Sequence, residues 1–272
     1  MNLYTTLAID LDGTALRPDS TLSERTISVL IAAQEQGMRL IIASGRPPQG
    51  VAHVATAVRL RDFGGHVLAF NGGELWDWGT PRLLEAHSLP ASAKATAYHV
   101  AKAHGAEILT YHDGYVISEN ANHHYVSLST RINHLQPHQV DNFLEGTPMP
   151  LSKCMIVGEP DILQTFGTSL AQQLQGQANV FFSEPYHLEV VPLGIDKGRG
   201  LARLLQLMGE RPEQTIAVGD ANNDIPMIRV AGLGVAVANA EPHVRAAAQL
   251  IAPSNADDGV AWLADRFWLQ AK

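Results

Sequence analysis

The sequence predicts an α/β protein, a doubly wound and mostly parallel sheet with helices on both faces, carrying an inserted α+β domain. Three features point to it. Short β-favouring apolar runs alternate with helical patterns at both ends of the chain, the grammar of parallel strands joined by crossover helices. Those runs end in polar or glycine-rich residues, as expected where strand C-termini line a ligand crevice. Between about Leu75 and Val191 the grammar changes to hairpins, which reads as a second domain placed within the first.

Leu7-Ala8-Ile9 is the first strand and ends at Asp10-Leu11-Asp12-Gly13-Thr14. Ser23 is placed to cap a helix with an apolar face of Ile27, Leu30 and Ile31, closed by Gly37. Leu40 to Ala43 is the next strand, ending at Ser44-Gly45-Arg46, and a helical pattern follows through Val51, Val54, Ala55 and Val58. Val67 to Phe70 ends at Asn71-Gly72-Gly73.

Leu75 to Trp78 and Arg82 to Leu84 then form a hairpin, Ala91 to His104 an alanine-rich helix, and Glu107 to Tyr111 with Tyr115 to Ser118 a second hairpin around Asp113-Gly114. Glu119 to Pro150 is polar and histidine-rich and has no clear period. Lys153 to Val157 is a strand, Pro160 to Leu174 a helix, and Val180 to Phe182 with Leu188 to Val191 two more strands. The opening grammar resumes with a helix from Lys197 to Met208, the strand Thr215 to Val218 ending at Gly219-Asp220-Ala221-Asn222-Asn223-Asp224, a helix through Ile228, the strand Val235 to Val237, and a last helix after Gly259.

The 272 residues suffice for one large domain or two modest ones. A net charge of -8 without any cluster of Lys and Arg argues against nucleic acid or an anionic membrane as partner. Cys154 is the only cysteine and lies in an apolar run, so it reads as a buried structural thiol. The N-terminus lacks the pattern of a signal peptide, and no stretch reaches membrane-spanning length, so the expectation is a reduced, cytoplasmic protein.

Asp10 and Asp12, two apart at a strand end, face one small volume, which two like charges share only with a cation or a proton between them. A carboxylate can attack phosphorus and so divide a slow displacement into two easier ones. Phosphate monoesters need an acceleration of about 10²¹, or about 29 kcal/mol, more than one residue supplies. Asp10, Asp220 and a backbone carbonyl suit Mg²⁺, which prefers few oxygen ligands and retains water. Lys197, the Ser44 hydroxyl and amides near Gly45 suit phosphoryl oxygens, and Asp12 suits proton transfer at the leaving alcohol and at water.

Asp10-Leu11-Asp12-Gly13-Thr14, Ser44-Gly45-Arg46, Lys197 and Gly219 to Asp224 together resemble the motifs of haloacid dehalogenase-like phosphatases. Leu188 to Gly198 and Asn71-Gly72-Gly73 narrow the resemblance to the Cof-type branch. It implies a Rossmann-like catalytic core over residues 1–80 and 189–272, and an inserted α/β cap over 81–188 that selects the substrate. It implies Asp10 as nucleophile and metal ligand, Asp12 as acid and base that also lends the metal its carbonyl, and Asp220 as the other ligand of Mg²⁺. Phosphate is then expected at the Leu11 amide, Ser44, Gly45, Lys197 and Asn223, with Asp224 orienting Asp220 or Lys197 and Thr14 adding a hydroxyl.

The activity implied is Mg²⁺-dependent hydrolysis of small phosphorylated metabolites, sugar phosphates first, by a monomer or homodimer. The alternatives are a phosphomutase-type transferase and a non-catalytic sensor of phosphometabolites. Arg46 has two readings, a grip on the leaving group or an ion pair near a helix start. Asn71 and Gly72 are expected to shape hinge and pocket floor. Lys153 is expected on the surface, with substrate contact as second reading, and the histidines of the insert match no zinc ligand spacing.

Overall fold

The computed structural model describes residues 3–270. The chain divides into two compact units, Met1–Glu85 with Asp196–Lys272, and Ala86–Ile195. The first unit opens with β1 (Thr6–Ile9), α1 (Glu24–Glu35), β2 (Arg39–Ala43), α2 (Ala52–Ala57), β3 (His66–Ala69), β4 (Glu74–Asp77) and β5 (Arg82–Ala86). The second holds α3 (Ala91–Ala103), β6 (Glu107–His112), β7 (Tyr115–Ser118), α4 (His124–Ile132), β8 (Gln136–Gln139), α5 (Phe143–Gly146), β9 (Cys154–Val157), α6 (Pro160–Gln173), β10 (Ala178–Glu184) and β11 (His187–Pro192). The first unit then resumes with α7 (Lys197–Met208), β12 (Thr215–Gly219), α8 (Ile225–Val230), β13 (Leu233–Val237), α9 (Pro242–Ala247), β14 (Leu250–Ala252) and α10 (Gly259–Ala264).

The first unit is an eight-stranded sheet in the order β14-β13-β12-β1-β2-β3-β4-β5. It is parallel from β14 to β3 and turns antiparallel at β3 and β4. On one face Ala8, Ile41, Leu68 and Ala217 pack against Leu201, Leu204 and Leu205 of α7 and Met227 of α8. The spacing of those leucines puts them on one stripe of the helix, and each contributes roughly 1.5–3 kcal/mol by leaving water. The strands wind outward from β1 in opposite directions, so right-handed crossovers put α1 and α2 on the face opposite α8. Ser23 caps α1 by accepting from the Thr26 amide at 2.9 Å. Asp196 caps α7 by accepting from the Arg199 amide at 2.8 Å.

The second unit is a six-stranded sheet in the order β10-β11-β9-β6-β7-β8. Alternation sends Ile108, Cys154, Ile156, Leu188 and Val190 to one face, where α3 and α6 cover them with Ala97, Ala101, Phe166 and Leu170. Burial pushes the Cys154 thiol up to about 12, an inert structural cysteine.

Several expectations need adjustment. The divisions expected after residues 80 and 188 fall after Glu85 and Ile195, because β5 completes the first sheet while β11 pairs with β9 and β10 of the second. Lys153 is not on the surface: it is buried and paired at 2.9 Å with Glu189, with the Tyr111 ring beside it. A buried lysine needs such a partner, and the partner sits on another strand, 36 positions further along the chain, where no local pattern reveals it. The stretch from Glu119 to Pro150 contains α4, β8 and α5, and α9 and β14 complete the far edge of the first sheet. Among the described residues no helix is long and apolar enough to cross a membrane.

Candidate active site

β1 has β2 on one side and β12 on the other, so it marks the point where the winding reverses and a crevice opens at the strand C-termini. Ile9 is level with Ile42 of β2 and with Val218 of β12. The residues just beyond these strands, Asp10 to Thr14, Ser44 to Arg46 and Asp220 to Asp224, therefore occupy adjacent lips about 4.8 Å apart.

Lys197, the first residue of α7, joins two of them. Its Nζ donates to Asp10 Oδ1 and to Asp224 Oδ1, both at 2.6 Å, from a fully buried position. The start of α7 comes this close because the turn after β3 packs directly on it. A Cβ on Gly72, at φ +100°, would lie 2.8 Å from the Asp196 carbonyl oxygen, and one on Gly200 would lie 2.8 Å from Gly72 Cα. Asp224 uses its other oxygen to accept from the amides of Asp220 (2.9 Å) and Ala221 (3.0 Å), so it closes the loop after β12 while holding the lysine.

Asp220 is aimed by Thr14, whose Oγ1 donates to Asp220 Oδ1 at 2.8 Å. A Cβ on Gly13, at φ +79°, would lie 2.3 Å from Asp220 Oδ2, so only glycine allows the two loops to meet. Asp10, Asp220 and Asp224 each present a carboxylate oxygen within 4.8 Å of the others.

The electrostatics follow from this crowding. Burial, and then the charge of Asp224, raise the Asp10 carboxyl well above its ordinary range, with Lys197 pulling the other way. Burial also raises Asp220, opposed by the Thr14 hydrogen bond and reinforced by Asp224. Lys197 loses solvation by burial, yet Asp10 and Asp224 outweigh that and hold it above the usual lysine range. Clustered carboxylates under such mutual strain are a hard oxygen donor set that a divalent cation relieves, so these residues fit a metal ion.

Asp12 faces Arg46. Arg46 Nη2 donates to Asp12 Oδ1 at 2.6 Å and Nε to Oδ2 at 2.8 Å, so the ion pair anticipated for this arginine is made across the lips with Asp12. Ser44 is buried, and its Oγ accepts from the Arg46 amide at 3.1 Å. Asn223 Nδ2 donates to Asn71 Oδ1 at 3.1 Å, and a Cβ on Gly45 would touch the Asn71 side chain at 3.2 Å, so Gly45, Asn71 and Asn223 stand together. Leu11 is buried in the turn after β1.

The sequence reading missed a second layer. Asn239, at the end of β13, donates to the Gly13 carbonyl at 2.8 Å and accepts from the Asn255 amide at 2.9 Å, and Asn255 donates to the Leu16 carbonyl at 2.8 Å. These bonds brace the turn that carries Asp12. A polar residue at another strand C-terminus was the available signal for Asn239. His243, paired with Asn222, lies outside every strand end and carried none.

Residues 7–263 match the profile of the haloacid dehalogenase-like hydrolases. The chain is 28% identical to the pyridoxal phosphate phosphatase YbhA of Escherichia coli K12 over 264 residues, 94% of this chain and 95% of that protein. It is 29% identical over 243 residues to the HMP-PP phosphatase of Escherichia coli O157:H7, covering 88% of this chain and 86% of that one. Among solved structures, a haloacid dehalogenase-like hydrolase from Bacteroides thetaiotaomicron superposes with a TM-score of 0.94 at 40% identity, over 97% of this chain and 99% of that chain.

Proposed function

The chain belongs to the haloacid dehalogenase-like hydrolases, in their Cof-type branch, and is a phosphoric monoester hydrolase; from this premise we propose that it is a Mg²⁺-dependent phosphatase of small phosphorylated metabolites. Sugar phosphates are the first substrate class in this reading. The names of two relatives, a pyridoxal phosphate phosphatase and an HMP-PP phosphatase, support adding cofactor phosphates.

Asp10 is the nucleophile. Its carboxylate oxygen bonds to phosphorus as the bond from phosphorus to the leaving oxygen breaks, and Asp12 gives that oxygen a proton. Asp12, now a carboxylate, then takes a proton from water as the water oxygen bonds to phosphorus and the Asp10 carboxylate is released. Lys197, the Ser44 hydroxyl and the amides of Leu11 and Gly45 donate to the phosphoryl oxygens, and Asn223 is held nearby by Asn71. Asp10, Asp220 and the Asp12 carbonyl would hold the cation, with Asp224 within reach and engaged by Lys197. A divalent ion there would supply charge compensation between phosphate and nucleophile.

The single observation that carries the reading is the buried Lys197 ammonium set between Asp10 and Asp224, with Asp220 beside them. The test is a phosphate-release screen over sugar, nucleotide and pyridoxal phosphates, with Mg²⁺ and with chelator, run beside Asp10→Asn. Release that needs both Mg²⁺ and Asp10 is expected. Release that persists in Asp10→Asn overturns the mechanism.

A further inference from the structure

We propose that Arg46 is the positioning residue of Asp12: its guanidinium aims the Asp12 carboxylate and so governs departure of leaving groups that need a proton. The inference rests on the phosphatase reading, and specifically on the proton-transfer role given to Asp12.

The two partners are unequal. Arg46 is 8% exposed and the Asp12 side chain 55% exposed. The arginine is also anchored through its backbone, its amide donating to Ser44 Oγ at 3.1 Å and its carbonyl accepting from the Phe70 amide at 3.1 Å. Those bonds tie it to the lips of β2 and β3. Asp12 stands in a turn on the lip of β1, with an open side chain that has several rotamers within reach of solvent. The fixed partner is therefore the arginine and the aimed partner the carboxylate.

The bonding is two-pronged. Nη2 meets Oδ1 at 2.6 Å and Nε meets Oδ2 at 2.8 Å. A fork of this kind sets the plane of a carboxylate as well as its distance, which a lysine, as a point charge, does not. Both Asp12 oxygens accept in this arrangement. For Asp12 to carry a proton to the leaving oxygen, one bond of the fork must open, while the other keeps the carboxyl in place. When the proton has gone the fork closes again, and Asp12 stands ready as a carboxylate for the proton of the attacking water. Arg46 touches none of the reacting atoms in this scheme and acts through Asp12.

Leaving groups separate this role from a structural one. An alkoxide needs a proton to depart, whereas p-nitrophenolate departs without one. The experiment compares kcat/KM, which reports the steps through the first transfer, for an alkyl phosphate and for p-nitrophenyl phosphate in wild type, Arg46→Lys and Arg46→Met. The expected result is a loss of roughly 10–100-fold on the alkyl phosphate, the cost of a misaimed catalytic group, and of less than about threefold on the aryl phosphate.

In an Asp12→Asn background the same Arg46 substitutions should add no further loss, because the group they aim is gone. Equal losses on both substrates, or losses that add fully to Asp12→Asn, would overturn the proposal and make Arg46 a direct ligand of substrate or a packing residue. Arg46→Lys keeps a cation in the buried slot and carries the test if Arg46→Met does not fold. Failure of the underlying reading looks different: wild-type enzyme releases no phosphate, or Asp10→Asn releases it normally.

Discussion

Lys197 and Asp10, 187 positions apart in the chain, meet at 2.6 Å between Nζ and Oδ1, with the ammonium completely shielded from solvent. The contact joins the first strand of the sheet to a helix that begins after the whole second unit has been traversed. The charge balance of the site depends on this link.

Replacing Asp10 by Asn leaves Lys197 paired with Asp224 and removes one of the crowded carboxylates, so the fold is expected to survive. Turnover is expected to fall by roughly four orders of magnitude or more, as when a nucleophile is removed from a unit that works together. Phosphate release, read alongside far-ultraviolet circular dichroism, checks both halves; a variant with near-normal turnover contradicts the proposal that Asp10 is the nucleophile.

Lys197→Met strands Asp10 and Asp224 in a buried site without their counter-ion. Without added divalent cation, the first unit should lose about 3–5 kcal/mol, the usual consequence of breaking a buried pair. Adding Asp10→Asn to Lys197→Met should recover part of that loss, since one of the stranded charges is then gone. Urea unfolding of the single and double variants measures it, and strict additivity would mean that the two residues do not interact energetically.

Thr14→Val removes the hydroxyl that donates to Asp220 Oδ1 at 2.8 Å. Asp220 is then no longer aimed, and the Mg²⁺ concentration for half-maximal phosphate release should rise roughly 10–100-fold, in line with the loss of a partner that orients a metal ligand. Calorimetric titration of Mg²⁺ reads the same change without turnover. An unchanged titration would show that Asp220 is oriented by other means.

His187 makes the stability of the second unit depend on pH. Burial, with Lys153 in support and Glu189 opposed, lowers its pKa from 6.5 to about 4. Between those values the unfolded chain binds a proton that the folded chain refuses, so stability falls as pH drops through this window. Below the folded value the full penalty applies, about 3 kcal/mol. Unfolding midpoints of wild type and His187→Phe, measured from pH 7 to pH 4, should converge or cross as the variant loses this slope; parallel curves would count against it.

Much of the fold was legible because it repeats locally. The leucines of α7 recur at helical spacing, Gly37 and Gly209 mark the ends of their helices with positive φ, and short apolar strands announce a parallel sheet. The residues at the strand ends were legible for the same reason, since a carboxylate pair or an Asn-Asn-Asp run just past an apolar strand is a local pattern. Lys153 was not legible. It opens a strand as an exposed lysine would, and only the register of β9 against β11 brings Glu189 beside it. The return boundary was missed similarly, because Leu188 to Val191 suits a strand of either sheet and pairing alone decides which.

By itself, then, the sequence determined the class of fold, the succession of strands and helices along the chain and the chemistry available at the strand ends, because backbone periodicity and turn preferences are properties of neighbouring residues. Only the tertiary structure decided that Arg46 grips both oxygens of Asp12, that Asp224 joins the carboxylate group while holding Lys197, and that Asn239 braces the turn at Gly13. Those contacts depend on strand order, on register and on how closely glycine lets loops approach, and each joins residues too far apart in the chain for any local preference to encode.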